Sequence, residues 1–125
     1  MGLFNKMTGA CGEDAACSFL KKAKYKIVER NFRCSCGEID IIAKKGGDLV
    51  FVEVKTRSSD RFGTPAQAVT YYKKRNMVKT AQVYLMKNPT EMNISFDIVE
   101  VYGAFKGGGF CLDEINHIEG AFDEV

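Results

Sequence analysis

The stretch Leu49-Val50-Phe51-Val52-Glu53-Val54-Lys55 constrains the fold more than any other, because five of its seven positions are apolar and the other two carry opposite charges. A short apolar run rich in β-branched residues, with no polar residue at every second position, describes a strand covered on both faces. Such a strand lies inside a sheet that has helices above and below it. Its neighbours can be read from the same region. Lys44-Lys45-Gly46-Gly47-Asp48 is a tight turn, and Glu38-Ile39-Asp40-Ile41-Ile42-Ala43 is a second strand, so the two strands form an antiparallel hairpin. Residues 27–36 are also β-like, and Gly37 opens the strand that follows.

Two helices flank these strands. Within residues 10–24, Ala16, Phe19, Leu20 and Ala23 recur at helical spacing. A second helix is expected over 65–87, with Thr64 capping it, Pro65 in its first turn and Asn88-Pro89 stopping it. Its apolar side would carry Ala68, Tyr71, Tyr72, Val78, Ala81, Tyr84 and Leu85. Residues 96–101 alternate as a strand with one wetter face, Gly107-Gly108-Gly109 is a turn, and 110–117 adds a short last strand. The order helix, three strands, helix, strand predicts an α/β fold with one mixed sheet between helices. A chain of 125 residues fits a single domain, with a core over about 9–104 and a short C-terminal extension over 105–125.

Composition removes several classes. No apolar run approaches the roughly 18 residues that span a bilayer, and no basic segment followed by an apolar core opens the chain, so a cytoplasmic protein without membrane contact is expected. Lys6 stands where an N-terminal acylation signal wants Ser or Thr. Five cysteines, an odd number, suit a reducing compartment, and Cys34 and Cys36 are one residue too close for a zinc knuckle. The net charge of +2 hides an asymmetry: the first 109 residues hold eighteen basic side chains against eleven acids, a net of +7. A basic body attracts polyanions.

The chemistry concentrates on four charges. Residues two apart on a strand share a face, so Glu53 and Lys55 project together from an otherwise apolar strand, where both are costly. Asp40 sits between Ile39 and Ile41 on the neighbouring strand, close enough across the hairpin to repel Glu53 unless a proton or a divalent cation intervenes. Glu13 precedes Ala16, Cys17 and Leu20 by three, four and seven residues, which turns it inward from the first helix toward a lysine or a metal. Mg²⁺, with Mn²⁺ as its substitute, is the natural third party, since it takes one or two carboxylates plus water and phosphate. A water activated beside Lys55 would then suit hydrolysis of a phosphodiester.

Gly37-Glu38-Ile39-Asp40, followed thirteen residues after Asp40 by Glu53-Val54-Lys55, resembles the D…(D/E)-x-K signature of the restriction-endonuclease-like nucleases. More closely, the chain resembles the bacterial YraN family, which is related to Holliday-junction resolvases. The matching stretches are residues 9–16, Arg30-Asn31-Phe32-Arg33, 37–43, 51–57, 63–70, 96–99 and 115–122, nearly the whole chain. The resemblance implies a three-layer α/β/α core, with Asp40 and Glu53 as Mg²⁺ ligands, Lys55 as the catalytic lysine and Glu13 as the helix-borne acid. The backbone carbonyl of Val54 would be a further metal ligand. Lys24 departs from a glycine frequent in the family at the end of the first helix, and Ser95 from an arginine frequent before the Phe96-Asp97 strand.

Gln67 and Tyr71 form a Q-x-x-x-Y pair similar to one in exonuclease relatives, which makes them auxiliary candidates. Arg57, Arg61, Lys73, Lys74, Arg75 and Lys79 are placed to grip phosphates. His117, the single histidine, lies in the acidic tail and is a poor candidate for a general base. The expectation is a metal-dependent DNA endonuclease, with branched DNA among its candidate substrates, acting as a monomer or homodimer. The alternatives are a DNA-binding module that keeps the nuclease fold without cutting, and a protein-interaction domain with a structural charge cluster.

Overall fold

The computed structural model describes residues 2–58 and 70–123. Helix α1 spans Gly2–Lys22. Strands β1 (Lys26–Cys34), β2 (Gly37–Lys45) and β3 (Asp48–Arg57) follow. Helix α2 (Tyr71–Lys87) and strands β4 (Asn93–Lys106) and β5 (Gly109–Phe122) complete the described fold. The sheet order is β1-β2-β3-β4-β5. All neighbours are antiparallel except β3 and β4, which run parallel from Asp48↔Asn93 to Arg57↔Tyr102. A parallel pair needs a crossover, and α2 lies within it.

The double burial expected of the apolar strand is met: β3 is the middle strand, and its residues alternate between two cores. Val50 and Val52 pack with Ile41, Ala43 and Val99 against Ala16, Cys17 and Leu20 of α1. Leu49 and Phe51 pack with Ile39, Ile42 and Phe96 against Met77, Val78, Ala81 and Tyr84 of α2. The architecture is therefore α/β in three layers, α1 over one face and α2 over the other, as in a restriction-endonuclease-like core. At Gly12 the approach of α1 to β3 is close, for a methyl group there would lie 1.9 Å from the Thr56 hydroxyl.

Several boundaries differ from those expected. Helix α1 starts at Gly2 rather than near residue 10 and closes at Lys22. Lys24 adopts φ 74°, its N–H donating to Lys21 O at 3.0 Å while Tyr25 N–H donates to Leu20 O at 2.9 Å. This is the left-handed C-terminal cap that glycine favours, so the lysine strains the backbone to keep the same stop. Strand β1 ends at Cys34, because Ser35 and Cys36 form the turn into β2. The last two strands are longer than their apolar runs, since β4 and β5 remain paired from Phe96↔Phe122 to Lys106↔Gly109.

Helix α2 needs the largest correction. Thr64, Pro65 and Ala68 lie outside the described residues, but Thr70 is extended (φ −74°, ψ 167°), so no single helix runs through it. Its hydroxyl accepts the Lys73 N–H at 3.2 Å and caps a helix that begins at Tyr71. Tyr71 and Tyr72, expected on the apolar side, are exposed. Tyr71 shares a stripe with Val78 seven residues on, yet the first turn projects past the apolar layer to the charged ends of β2 and β3. The stop at Asn88 is as expected, its side-chain amide donating to Tyr84 O at 3.1 Å.

Candidate active site

The hairpin of β2 and β3 creates the site by coming apart. Its ladder runs from Lys45↔Asp48 to Ile41↔Val52. Beyond that pair a side chain takes over, the Asp40 carboxylate accepting the Val54 N–H at 2.8 Å. Asp40 is thereby fixed to the neighbouring strand by a side-chain hydrogen bond in place of a ladder bond. Glu53 follows Leu49 and Phe51 on the α2 face of β3, is 5% exposed, and its carboxyl stands beside that of Asp40.

Two carboxyls in contact away from water cannot both ionise cheaply. Burial, first, and the neighbouring Glu53, second, push the Asp40 carboxyl up to about 8, against the pull of the Val54 N–H; Glu13 adds a smaller push in the same direction. The Asp40 carboxyl therefore keeps its proton across the neutral pH range.

Cations approach the pair from two elements. Lys73, in the first turn of α2, places Nζ 3.2 Å from Glu53 Oε2. Burial, first, and Lys73, second, hold the Lys55 ammonium below the usual lysine range; for Lys73 burial is the largest single effect and lowers it, but Glu53, Lys55 and Asp40 together raise it above that range. Glu13 lies at the other side. Its Oε1 accepts Arg30 Nη2 at 3.0 Å, Arg30 Nε at 3.2 Å and Asn31 Nδ2 at 2.9 Å. Arg30 also bonds Asp14 at 2.8 Å. The cation that meets Glu13 is thus an arginine from β1, not a lysine from β3.

Glu13, Asp40, Val54 and Lys55 line one cleft of about 440 Å³, together with Gly9, Thr56 and Arg57. Glu53 and Lys73 line an adjoining hollow of about 300 Å³ with Gly37, Glu38, Asn76 and Met77. The four charges picked out in the sequence thus fall in one neighbourhood, Glu53 on its α2 side. Among the expected phosphate contacts, Arg57 lines the cleft and Lys73 sits inside the acid cluster. Lys74 lies over the Phe122 ring at 5.6 Å, while Arg75 and Lys79 are exposed. Tyr71 is exposed, and Arg61 and Gln67 lie outside the described residues.

Among the described residues no three His, Cys, Asp or Glu side chains converge closely enough to form a metal cage. The donor set fits a smaller demand: Mg²⁺ keeps several waters and takes one or two carboxylates. Asp40 and Glu53 are two hard oxygen donors whose closeness keeps the Asp40 carboxyl protonated, and a divalent ion answers the same repulsion.

Two contributors escaped the sequence reading. Arg30 and Asn31 lie within a stretch that matches the YraN family, but nothing in their spacing marks them as the holders of Glu13. Asn31 has φ 56°, a left-handed conformation asparagine tolerates better than most residues, and it aims its amide at Glu13. Lys73 was counted among surface phosphate contacts, and only the start of α2 at Tyr71 carries it to Glu53.

The profile described as "Uncharacterised protein family UPF0102" matches residues 12–101. The chain belongs to the UPF0102 family. This is the YraN family that the sequence resembles. A UPF0102 protein of Caldanaerobacter subterraneus subsp. tengcongensis is 46% identical over 118 residues, 94% of this chain and 95% of its own. Another UPF0102 protein, from Geobacter metallireducens, is 44% identical over 124 residues, 98% of each chain. The stretch matched by the UPF0102 profile contains Glu13, Asp40, Glu53, Lys55 and Lys73. Among the described residues no helix is long and apolar enough to cross a membrane.

Proposed function

We propose that this UPF0102 protein is a divalent-metal-dependent DNA endonuclease that hydrolyses phosphodiester bonds, branched DNA being one candidate substrate. One observation carries the reading: the Asp40–Glu53 acid pair, formed where β2 leaves β3, adjoins a cleft into which Lys55 also projects. A structural ion pair needs no second acid at that point, and a second acid there costs stability.

Asp40, Glu53 and the Val54 carbonyl are the groups that would hold Mg²⁺ or Mn²⁺, with Glu13 beside them. The bound ion would supply Lewis-acid charge to the phosphoryl group and ease the ionisation of water. Lys55 orients the attacking water and stabilises negative charge gathering on the phosphoryl oxygens. Arg57, on the same cleft, holds the flanking phosphate. Arg30 and Asn31 keep Glu13 turned toward the cleft rather than toward solvent.

The Lys73–Glu53 ion pair favours a second reading, a DNA-binding module in which a lysine does permanently what a metal would do in a nuclease. Incubating the purified protein with fluorescent branched, nicked and plain duplex DNA in Mg²⁺ or Mn²⁺ separates the two. The nuclease reading expects cleavage by wild type and none by Lys55→Ala or Asp40→Asn. Equal cleavage by wild type and Lys55→Ala points to a contaminant. Salt-sensitive binding that survives Glu53→Ala, with no cutting by wild type, selects the binding module.

A further inference from the structure

The cleft chemistry leaves the most exposed aromatic surface of α2 unused. Tyr71 and Tyr72 are 56% and 73% exposed, and their rings meet edge to face with centroids 5.7 Å apart and an interplanar angle of 77°. The core has no need of them, since α2 packs through Met77, Val78, Ala81 and Tyr84. Yet they stand immediately before Lys73, whose ammonium reaches Glu53 at 3.2 Å. At about 1.5 Å of rise per residue, their backbones lie within one helical turn of that of Lys73. Lys73, Lys74 and Arg75 follow them, and the first turn contains no acid. Along α2 the aromatic surface is thus followed by three cations, one of them paired with Glu53, which suits a polyanion.

We propose that Tyr71 and Tyr72 form a stacking platform for unpaired bases, so that the DNA taken by this site carries a single-stranded stretch beside the phosphate at Lys55. This specificity rests on the nuclease or DNA-binding reading of the cleft and deepens it. A paired base in a duplex has its two faces covered by its neighbours and shows only its edges. An unpaired base offers a free π-face, and stacking on an aromatic side chain accepts any base because every base has one. The cationic residues hold the backbone while the rings hold the bases, the combination by which single strands are bound without sequence preference.

Binding is measured without metal, in EDTA, by fluorescence anisotropy with a labelled single-stranded oligonucleotide, a blunt duplex, and the same duplex carrying a single-stranded tail. Wild type is expected to bind the single strand and the tailed duplex more tightly than the blunt one. Tyr72→Ala should weaken those two by roughly tenfold and the blunt duplex little, while Tyr72→Phe keeps wild-type affinity. Because the chain has no tryptophan, quenching of its tyrosine emission on binding gives a second readout. Equal wild-type affinity for blunt and single-stranded DNA overturns the proposal, as does an equal loss on all three ligands in Tyr72→Ala. With no metal present the DNA is not cut, so this result stands apart from the cleavage assay: a protein that binds single strands through Tyr72 but never cleaves refutes the nuclease reading alone.

Discussion

Asp40→Asn should make the metal-free protein more stable at neutral pH, although it removes a residue at the centre of the candidate site. In the folded chain the Asp40 carboxyl is held up to about 8, against 3.8 for an ordinary aspartate, chiefly by burial and next by Glu53. Between those values the folded state binds a proton that the unfolded state has released, so stability falls as pH rises from about 4 to about 8. Each unit is worth about 1.4 kcal/mol, which makes the loss at pH 7 on the order of 4 kcal/mol. Asparagine is neutral throughout. Its carbonyl can accept the Val54 N–H, and its amide can donate to Glu53, so both contacts of protonated Asp40 survive. Urea unfolding in EDTA checks this. The variant should match wild type near pH 4 and exceed it at pH 7 by about 2–3 M in midpoint, for a slope of roughly 1.5 kcal/mol/M. No advantage at pH 7, or one that is the same at pH 4 and pH 8, would mean that Asp40 is ionised in the fold.

Lys73→Met removes the ammonium 3.2 Å from Glu53, a half-exposed partner, and should cost about 1–2 kcal/mol in metal-free unfolding. In calorimetry it should tighten Mn²⁺ binding severalfold by removing a competing cation, and weaker binding would show that Lys73 assists the metal instead. Asp97 is 1% exposed and accepts from Ser95 Oγ and the Gly120 N–H while bonding His117 Nε2 at 2.6 Å, so Asp97→Ala should lose about 3–5 kcal/mol by chemical denaturation. Despite burial, those partners hold its carboxyl below the usual range, so its stabilisation is present above about pH 4 and lost as pH falls further, a loss that Asp97→Asn should flatten in acid titration. Lys24→Gly should raise the unfolding midpoint by the equivalent of about 1 kcal/mol, because glycine takes φ 74° without strain; an unchanged midpoint would mean that the cap is not strained.

Asp40 and Asp97 show two ways in which one chain treats a buried acid. Asp97 is given a hydroxyl, an imidazole and a backbone N–H, and it fastens β5 to β4. Asp40 is given one N–H and a second acid. The first arrangement stabilises the fold, and the second holds an electrostatic conflict that a ligand can relieve. Sequence alone marked Asp40 as a carboxylate inside an apolar strand but placed Asp97 in a strand with one wetter face; Asp97 is nonetheless 1% and Glu100 2% exposed, because β5 and its side chains cover them.

Most of the layered architecture was readable before any coordinates. The unbroken apolar run of β3 required cover on both faces, the glycine turn at 46–47 required a hairpin, and the spacing of Glu53 and Lys55 required a shared face. Each follows from geometry a few residues long, in which the period of a strand or the reach of a turn leaves one answer. Tertiary structure decided where α2 begins, and with it the exposure of Tyr71 and Tyr72 and the arrival of Lys73 at Glu53. It also decided that Arg30 and Asn31, rather than a lysine, hold Glu13. Those outcomes depend on contacts between residues 17 to 20 positions apart, across helices and strands whose relative placement no local period encodes. A helical repeat tells which side chains share a stripe, but only the finished packing tells how far along the helix that stripe stays covered.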